Sequence, residues 1–331
     1  MMKRREFITL LGGAATAWSP AARAQQPAMP VVGYLYFGTT GAGAGSVAAF
    51  RNGLSEAGYV EGRNVAIELR FAQGGLDRLA DLAADLVRRQ VAVIVAAGSP
   101  SSVLAAMAAT STIPIVFAMA DDPVKYGVVA SLNRPGGNVT GVHFRIGELG
   151  GKRLNLLLDL IPQATTVAYL SGPSRSQVFE DLRSDMLAAA RTFGRQIIVL
   201  EAHRDPDFET AFATLVQRRA DALIVGGYAF FLEPRNRDKI LELAARHKIP
   251  AMYPSRVYTV GGGLMSYGAD IVSVYRQVGA QIAQILKGAK PAELPVLQPS
   301  KYELVINMKT VQLLGIRVPN VVLAFADELI K

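Results

Sequence analysis

Val91-Ala92-Val93-Ile94-Val95 leads to Gly98, a helical stretch and Ile113-Pro114; further on, Ala220-Asp221-Ala222-Leu223-Ile224-Val225 leads to Gly226-Gly227, a helical stretch and Ile249-Pro250. Each block reads as a strand, a glycine turn, a helix and a second strand. The first strand of each is a nearly unbroken apolar run. Such a run suits a parallel sheet covered on both faces, where neither side of the strand meets water. Two copies of the pattern in one chain predict two similar doubly wound lobes rather than one large sheet.

The same alternation extends outward in both directions. Upstream, strands are predicted over 31–37, 65–71, 91–97 and 113–118, with helices over 46–58, 76–89 and 101–109. In the helix at 76–89, Leu79, Leu82, Ala83 and Leu86 share one face, the spacing of an amphipathic helix. After an irregular stretch at 121–141 the alternation restarts, with strands over 165–170, 196–200, 222–225 and 249–253 separated by helices. Beyond Pro254 it changes to a short strand at 264–267, a helix at 271–286, a crossing segment at Leu294-Pro295 and a strand at 301–307. The predicted fold class is α/β, with two Rossmann-like lobes joined by hinge strands. The expected division is 29–145 plus 266–293 for the first lobe and 146–265 plus 294–331 for the second.

Composition narrows the function. Half of the 331 residues are hydrophobic and 19% are charged, enough for a sizeable core and unlike a disordered chain. The net charge is +8, of which the first 24 residues carry +3; the remaining positive charge is scattered, with no stripe that would mark nucleic-acid binding. No cysteine is present, which excludes disulfides, thiolate nucleophiles and cysteine-based metal sites. Residues 1–24 read as a leader. Lys3-Arg4-Arg5 is a basic start, an apolar stretch runs from Phe7 to Trp18, and Ala22-Arg23-Ala24 suits cleavage after Ala24. The paired arginines before Glu6-Phe7-Ile8 are of the twin-arginine type, so the expected destination is the periplasm.

In open α/β sheets, ligands sit beyond the carboxyl ends of the strands. That rule names Phe37, Gly38, Thr39, Thr40, Gly98, Ser99, Ser101, Met119 and Asp121 in the first lobe. In the second it names Ser171, Gly227, Tyr228, Tyr253 and Arg256, with Tyr267 near the hinge. Ser99 and Ser101 precede a helix whose N–H groups favour a carboxylate, although Ser101 also reads as a simple N-cap. Asp121 reads equally as an acceptor for an ammonium group and as a turn residue with Asp122-Pro123. Phe37, Tyr228, Tyr253 and Tyr267 suit a sandwich around an apolar ring or ordinary packing. Arg256 suits a bidentate contact to an anion or a surface charge bridging the lobes.

Three blocks carry a family resemblance: Lys301-Tyr302-Glu303-Leu304-Val305-Ile306-Asn307-Met308-Lys309-Thr310 with Leu314-Gly315; Gly262-Gly263-Leu264-Met265-Ser266-Tyr267-Gly268; and Val139-Thr140-Gly141-Val142 with Lys152-Arg153-Leu154. Together they resemble the ABC-transporter substrate-binding proteins of the ABC_sub_bind (TrpX-like) family. The resemblance implies a type I periplasmic-binding-protein fold and capture of a small solute between two lobes. It also implies delivery to an ABC permease with its ATPase, by a monomer that needs no cofactor or metal. Aromatic amino acids are ligands of some members. Two stretches depart from the family pattern: the glycine-rich loop Gly38-Thr39-Thr40-Gly41-Ala42-Gly43-Ala44-Gly45, and Ser171-Gly172-Pro173.

A rival reading is an exported NAD(P)-dependent oxidoreductase. Gly43-Ala44-Gly45-Ser46-Val47-Ala48 matches the G-x-G-x-x-A dinucleotide fingerprint. It begins several residues after the predicted strand, however, and no acidic residue closes the second strand, where Arg70, Ala72 and Gln73 stand. His143, His203 and His247 are far apart, and no nucleophile elbow or P-loop occurs, so the residues point to binding rather than catalysis.

Overall fold

The computed structural model describes residues 29–144, 149–172, 177–299 and 301–331. The leader and its cleavage site lie outside them. The first lobe contains β1 (Val31–Tyr36), α1 (Thr40–Glu56), β2 (Ala66–Phe71), α2 (Leu76–Arg88), β3 (Val93–Ala97), α3 (Pro100–Ala109), β4 (Ile115–Met119) and β5 (Val139–His143). These strands form a parallel sheet in the order β2-β1-β3-β4-β5. Every residue of β3, β4 and β5 is buried, because helices cover both faces. On α2, Leu79, Ala83 and Leu86 are the buried residues, the apolar face that the periodicity predicts.

The second lobe repeats the plan with α4 (Gly150–Leu160), β6 (Thr166–Ser171), α5 (Gln177–Thr192), β7 (Gln196–Glu201), α6 (Asp205–Gln217), β8 (Ala222–Val225), α7 (Ala229–Leu232), α8 (Pro234–Arg246), β9 (Ala251–Tyr253), α9 (Arg256–Val260) and β10 (Met265–Ala269). Its parallel strands run β7-β6-β8-β9-β10, so β6 to β10 occupy the places that β1 to β5 hold in the first sheet. The two blocks quoted first in the sequence are therefore equivalent: β3 corresponds to β8 and β4 to β9. The chain then adds α10 (Ile271–Leu286), β11 (Tyr302–Asn307), α11 (Met308–Leu313), α12 (Asn320–Phe325) and β12 (Glu328–Ile330). β11 pairs antiparallel with β10, and β12 pairs parallel with β11, at the edge of the second sheet.

Two pieces lie in a different lobe from the one the sequence suggests. Residues 266–269 belong to β10, hydrogen-bonded between β9 and β11 in the second sheet. Residues 294–297 stay with the first lobe: Leu297 N–H donates to Gly141 O at 2.9 Å, and its carbonyl accepts from His143 N–H at 2.9 Å. Thr140 Oγ1 also donates to Leu294 O at 2.8 Å. Backbone pairing at the open edge of β5 decides this, and the local apolar pattern does not encode it.

Between those pieces, α10 returns to the first lobe and packs against α1. Val274, Tyr275, Val278 and Ile282 join Val47, Phe50 and Leu54 in one core cluster. The helices approach backbone to backbone. A Cβ at Gly53 would lie 2.2 Å from Arg276 O, and one at Gly279 would lie 2.6 Å from Phe50 O. A Cβ at Gly45, on the exposed side of α1, would meet nothing within 4 Å. The same substitution should therefore have opposite signs on these two helices. Gly45→Ala should raise stability by about 1 kcal/mol through helix propensity. Gly279→Ala should lower it by about 1–3 kcal/mol through overpacking. Urea unfolding followed by circular dichroism checks both.

Candidate functional site

The strand order reverses at β1/β3 in the first sheet and at β6/β8 in the second. At such a switch point the connections leave in opposite directions and open a crevice beyond the strand ends. The two crevices face each other. Thr39, just after β1, donates its Oγ1 proton to Glu233 Oε2 of the second lobe at 2.7 Å, and its N–H to Glu233 Oε1 at 3.3 Å. Lys125 and Asp181 make a second bridge at 3.4 Å.

On the first-lobe wall, Thr39 is the N-cap of α1, accepting from Ala42 N–H at 3.2 Å; Thr40 is exposed in the first turn. Phe37 is half-buried against the core beneath. Ser99 caps α3 by accepting from Ser101 N–H at 3.1 Å, with Pro100 as the first helical residue. The cap is therefore Ser99 rather than Ser101, because Pro100 has no N–H to lose at that position. Ser99 uses a lone pair in this bond and keeps its hydroxyl proton as a donor. Gly98 has φ +83°, and a Cβ there would meet the Tyr36 ring at 2.8 Å. Both the backbone and the aromatic neighbour call for glycine.

Tyr36 is a wall residue that the sequence reading misses, since it sits inside a predicted strand. Its ring is flanked by Gly98 along one edge and by Gly38 and Gly43 along the other, where added Cβ atoms would lie 2.9 and 3.3 Å away. Burial, with help from Tyr275 and Glu233, holds its phenol well above the ordinary tyrosine range. Three of the glycines in and around the loop thus make room for an aromatic ring. The dinucleotide reading fails here: Gly43 and Gly45 lie inside α1, with Gly43 against Phe71 and Tyr36, and form no phosphate-binding turn.

At the end of β4 the two aspartates divide the roles left open in the sequence. Asp122 makes the turn, accepting from Val124 N–H at 2.9 Å and Lys125 N–H at 3.3 Å. Asp121 is half-buried, and desolvation raises its carboxyl from the ordinary 3.8 to about 6. Its neighbour Tyr126 is pushed up to about 12, by burial first and then by the Asp121 charge. Met119 is 1% exposed and belongs to the core.

The second-lobe wall holds Ser171, buried beside Tyr169 at the end of β6, and Gly226-Gly227-Tyr228 after β8. Tyr228 precedes α7 and meets Phe231 edge-on, with ring centroids 5.2 Å apart. Gly227 lines a pocket with Gly150, Arg153, Tyr169 and Gly226. Arg153, which the sequence reading also leaves out of the site, is 3% exposed and donates from Nε to Tyr267 O at 2.8 Å. Burial lowers its guanidinium to about 10. The Tyr267 ring stacks on Tyr302 with centroids 6.2 Å apart.

Two second-lobe candidates are engaged elsewhere. Tyr253 is 1% exposed and stacked on Tyr258 at 4.8 Å, so its ring is part of the core. Arg256 pairs with Glu303 at 3.4 Å and Glu328 at 2.8 Å, both on strands of its own sheet, so it ties β11 and β12 to α9 rather than bridging the lobes.

A family model described as "ABC transporter substrate binding protein" matches residues 42–330. The chain belongs to this family. It is thus the solute-binding component of an ABC transporter, and its partners are a small-molecule ligand and that transporter. Along 81% of its length it is 26% identical to a "Tyrosine-binding protein" of Clostridioides difficile (strain R20291), spanning 76% of that relative. Two solved structures are similar over 91% of this chain and 99% of theirs. One is a conserved domain protein from Vibrio cholerae, with a TM-score of 0.81 and 25% identity. The other is an ABC domain in complex with L-Trp from Streptococcus pneumonia, with a TM-score of 0.80 and 26% identity. No described helix is long and apolar enough to cross a membrane.

The buried carboxyl of Asp121 gives a stability prediction. Between about pH 4 and 6 the folded chain holds a proton there that the unfolded chain releases. Stability therefore falls as pH rises through this window. The gap from 3.8 to about 6 corresponds to an upper bound of about 3 kcal/mol at neutral pH. Asp121→Asn should raise the melting temperature at pH 7 and flatten its dependence between pH 4 and 6, as measured by differential scanning calorimetry.

Proposed function

We propose that this protein captures an aromatic amino acid in the crevice between the lobes and presents it to its transporter, itself catalysing nothing. The observation that carries the reading is the position of Asp121 and the Ser99 cap just beyond the ends of neighbouring strands, at the end of the sheet where Thr39 and Lys125 meet the other lobe. β3 and β4 are adjacent and in register from Ile94/Ile115 to Ala97/Ala118. Adjacent strands lie about 4.8 Å apart. One zwitterionic head group therefore spans both positions, its ammonium on Asp121 and its carboxylate on the hydroxyls of Ser99 and Ser101. The side chain then extends toward Tyr36, Phe37 and Tyr228. Tyrosine and tryptophan in the names of the two relatives agree with a ring of that size.

The ammonium also settles the charge of Asp121. A buried carboxylate is costly alone and is compensated by a cation within hydrogen-bond reach. Export to the periplasm by the twin-arginine leader, with cleavage after Ala24, places the crevice where a permease with its ATPase receives solute.

Thermal shift and titration calorimetry on the chain without its leader test the reading. L-Tryptophan and L-tyrosine should raise the melting temperature, whereas indole-3-propionate, which lacks the ammonium, should not. Asp121→Asn should weaken binding of the amino acids by tenfold or more, the loss expected for a charge-assisted contact, while leaving the fold intact. Stabilisation by NAD(P), or by indole-3-propionate as strongly as by L-tryptophan, would overturn it.

A further inference from the structure

Glu233 meets the first lobe at a place that no family motif quoted above includes. It stands between α7 and α8, half-buried, and reaches across the crevice to the N-terminus of α1. There it accepts two hydrogen bonds from one residue, Thr39 Oγ1 at 2.7 Å and Thr39 N–H at 3.3 Å. The seat is shaped for it. A Cβ at Gly38 would lie 2.5 Å from Glu233 Oε1, so any larger residue would displace the carboxylate. α1 is 17 residues long, with no acidic residue in its first turn. The positive end of its dipole is thus answered from the opposite lobe.

The other bridge is of a different kind. Lys125 and Asp181 are 66% and 39% exposed, and a pair so open to water contributes little. The Thr39–Glu233 contact is shielded and two-pronged, and its partners lie 194 residues apart on opposite lobes. Because it joins the lobes directly, it exists only when they are together.

We propose that Thr39 and Glu233 form a latch that sets solute affinity by stabilising lobe closure, Glu233 acting as a positioning residue rather than a ligand contact. A contact made only in the closed form raises the closed fraction, and apparent affinity scales with that fraction. The latch therefore slows solute release without touching the solute. It rests on the closure of two lobes on a solute; the aromatic amino acid proposed above serves only as probe.

The absence of native cysteines makes the test clean. Leu104→Cys on α3 and Ser184→Cys on α5, both at exposed positions, carry a fluorescent donor and acceptor that report lobe separation. Glu233→Ala and Thr39→Val should each shift the transfer efficiency toward the open form. Each should weaken L-tryptophan binding about tenfold, the effect of one charge-assisted hydrogen bond, mainly through faster dissociation. The double variant should be no weaker than the weaker single variant, since both remove one contact. Glu233→Gln, which still accepts from Thr39, should fall between wild type and Glu233→Ala. Unchanged transfer efficiency in Glu233→Ala, or strictly multiplied losses in the double variant, would overturn the latch. If no aromatic amino acid binds the wild type, the proposed ligand fails, whereas the shift in transfer efficiency still decides the latch.

Discussion

The structure depends on one constraint: two sets of five parallel strands in equivalent order must present their carboxyl ends to each other. A parallel sheet collects its loops and helix N-termini at that end, and the reversal at the switch point parts them into a crevice. Placing two such ends face to face brings the two crevices together, with Thr39 and Glu233 in contact across them. The chain accomplishes this by crossing between lobes more than once, with β10 in the second sheet, α10 back on the first and β11 again in the second. The close approach of α1 and α10, through Gly53 and Gly279, anchors the return.

Within that frame the first-lobe wall is polar and preorganised. Ser99 is fixed by its own cap, Asp121 is relieved of the turn by Asp122, and Tyr36 is wedged among glycines. The second-lobe wall supplies rings and the buried Arg153, which couples α4 to the backbone of β10. Arg153 thus joins two elements of one lobe, whereas Thr39 and Glu233 join the two lobes across the crevice.

The crevice wall was legible in part. The strand-end rule led to Thr39, Gly98, Ser99, Asp121, Gly227 and Tyr228 as candidates, because loop residues after parallel strands gather at the crevice whatever their identity. It also led to Met119 and Tyr253, which belong to the core, since the last residue of a strand alternates between inside and outside and a shift of one position reverses the outcome. Arg256 misled for another reason. Its partners Glu303 and Glu328 follow it by 47 and 72 residues, and no local pattern links them. Tyr36 and Glu233 were passed over because one resembles a strand residue and the other a helix-entry residue until the lobes are assembled.

The sequence by itself determined the class of the molecule: apolar runs of strand length, amphipathic helices between them and a repeated block specify two doubly wound lobes, because burial of alternating elements follows from local periodicity. Its signature blocks also matched the family whose model covers residues 42–330. Only the tertiary structure decided which lobe owns residues 266–269 and 294–297, which glycines serve a ring rather than a phosphate, and which side chains meet across the crevice. Those outcomes depend on sheet-edge hydrogen bonding and on contacts between residues far apart in the chain, and neither leaves a periodic trace in the order of amino acids.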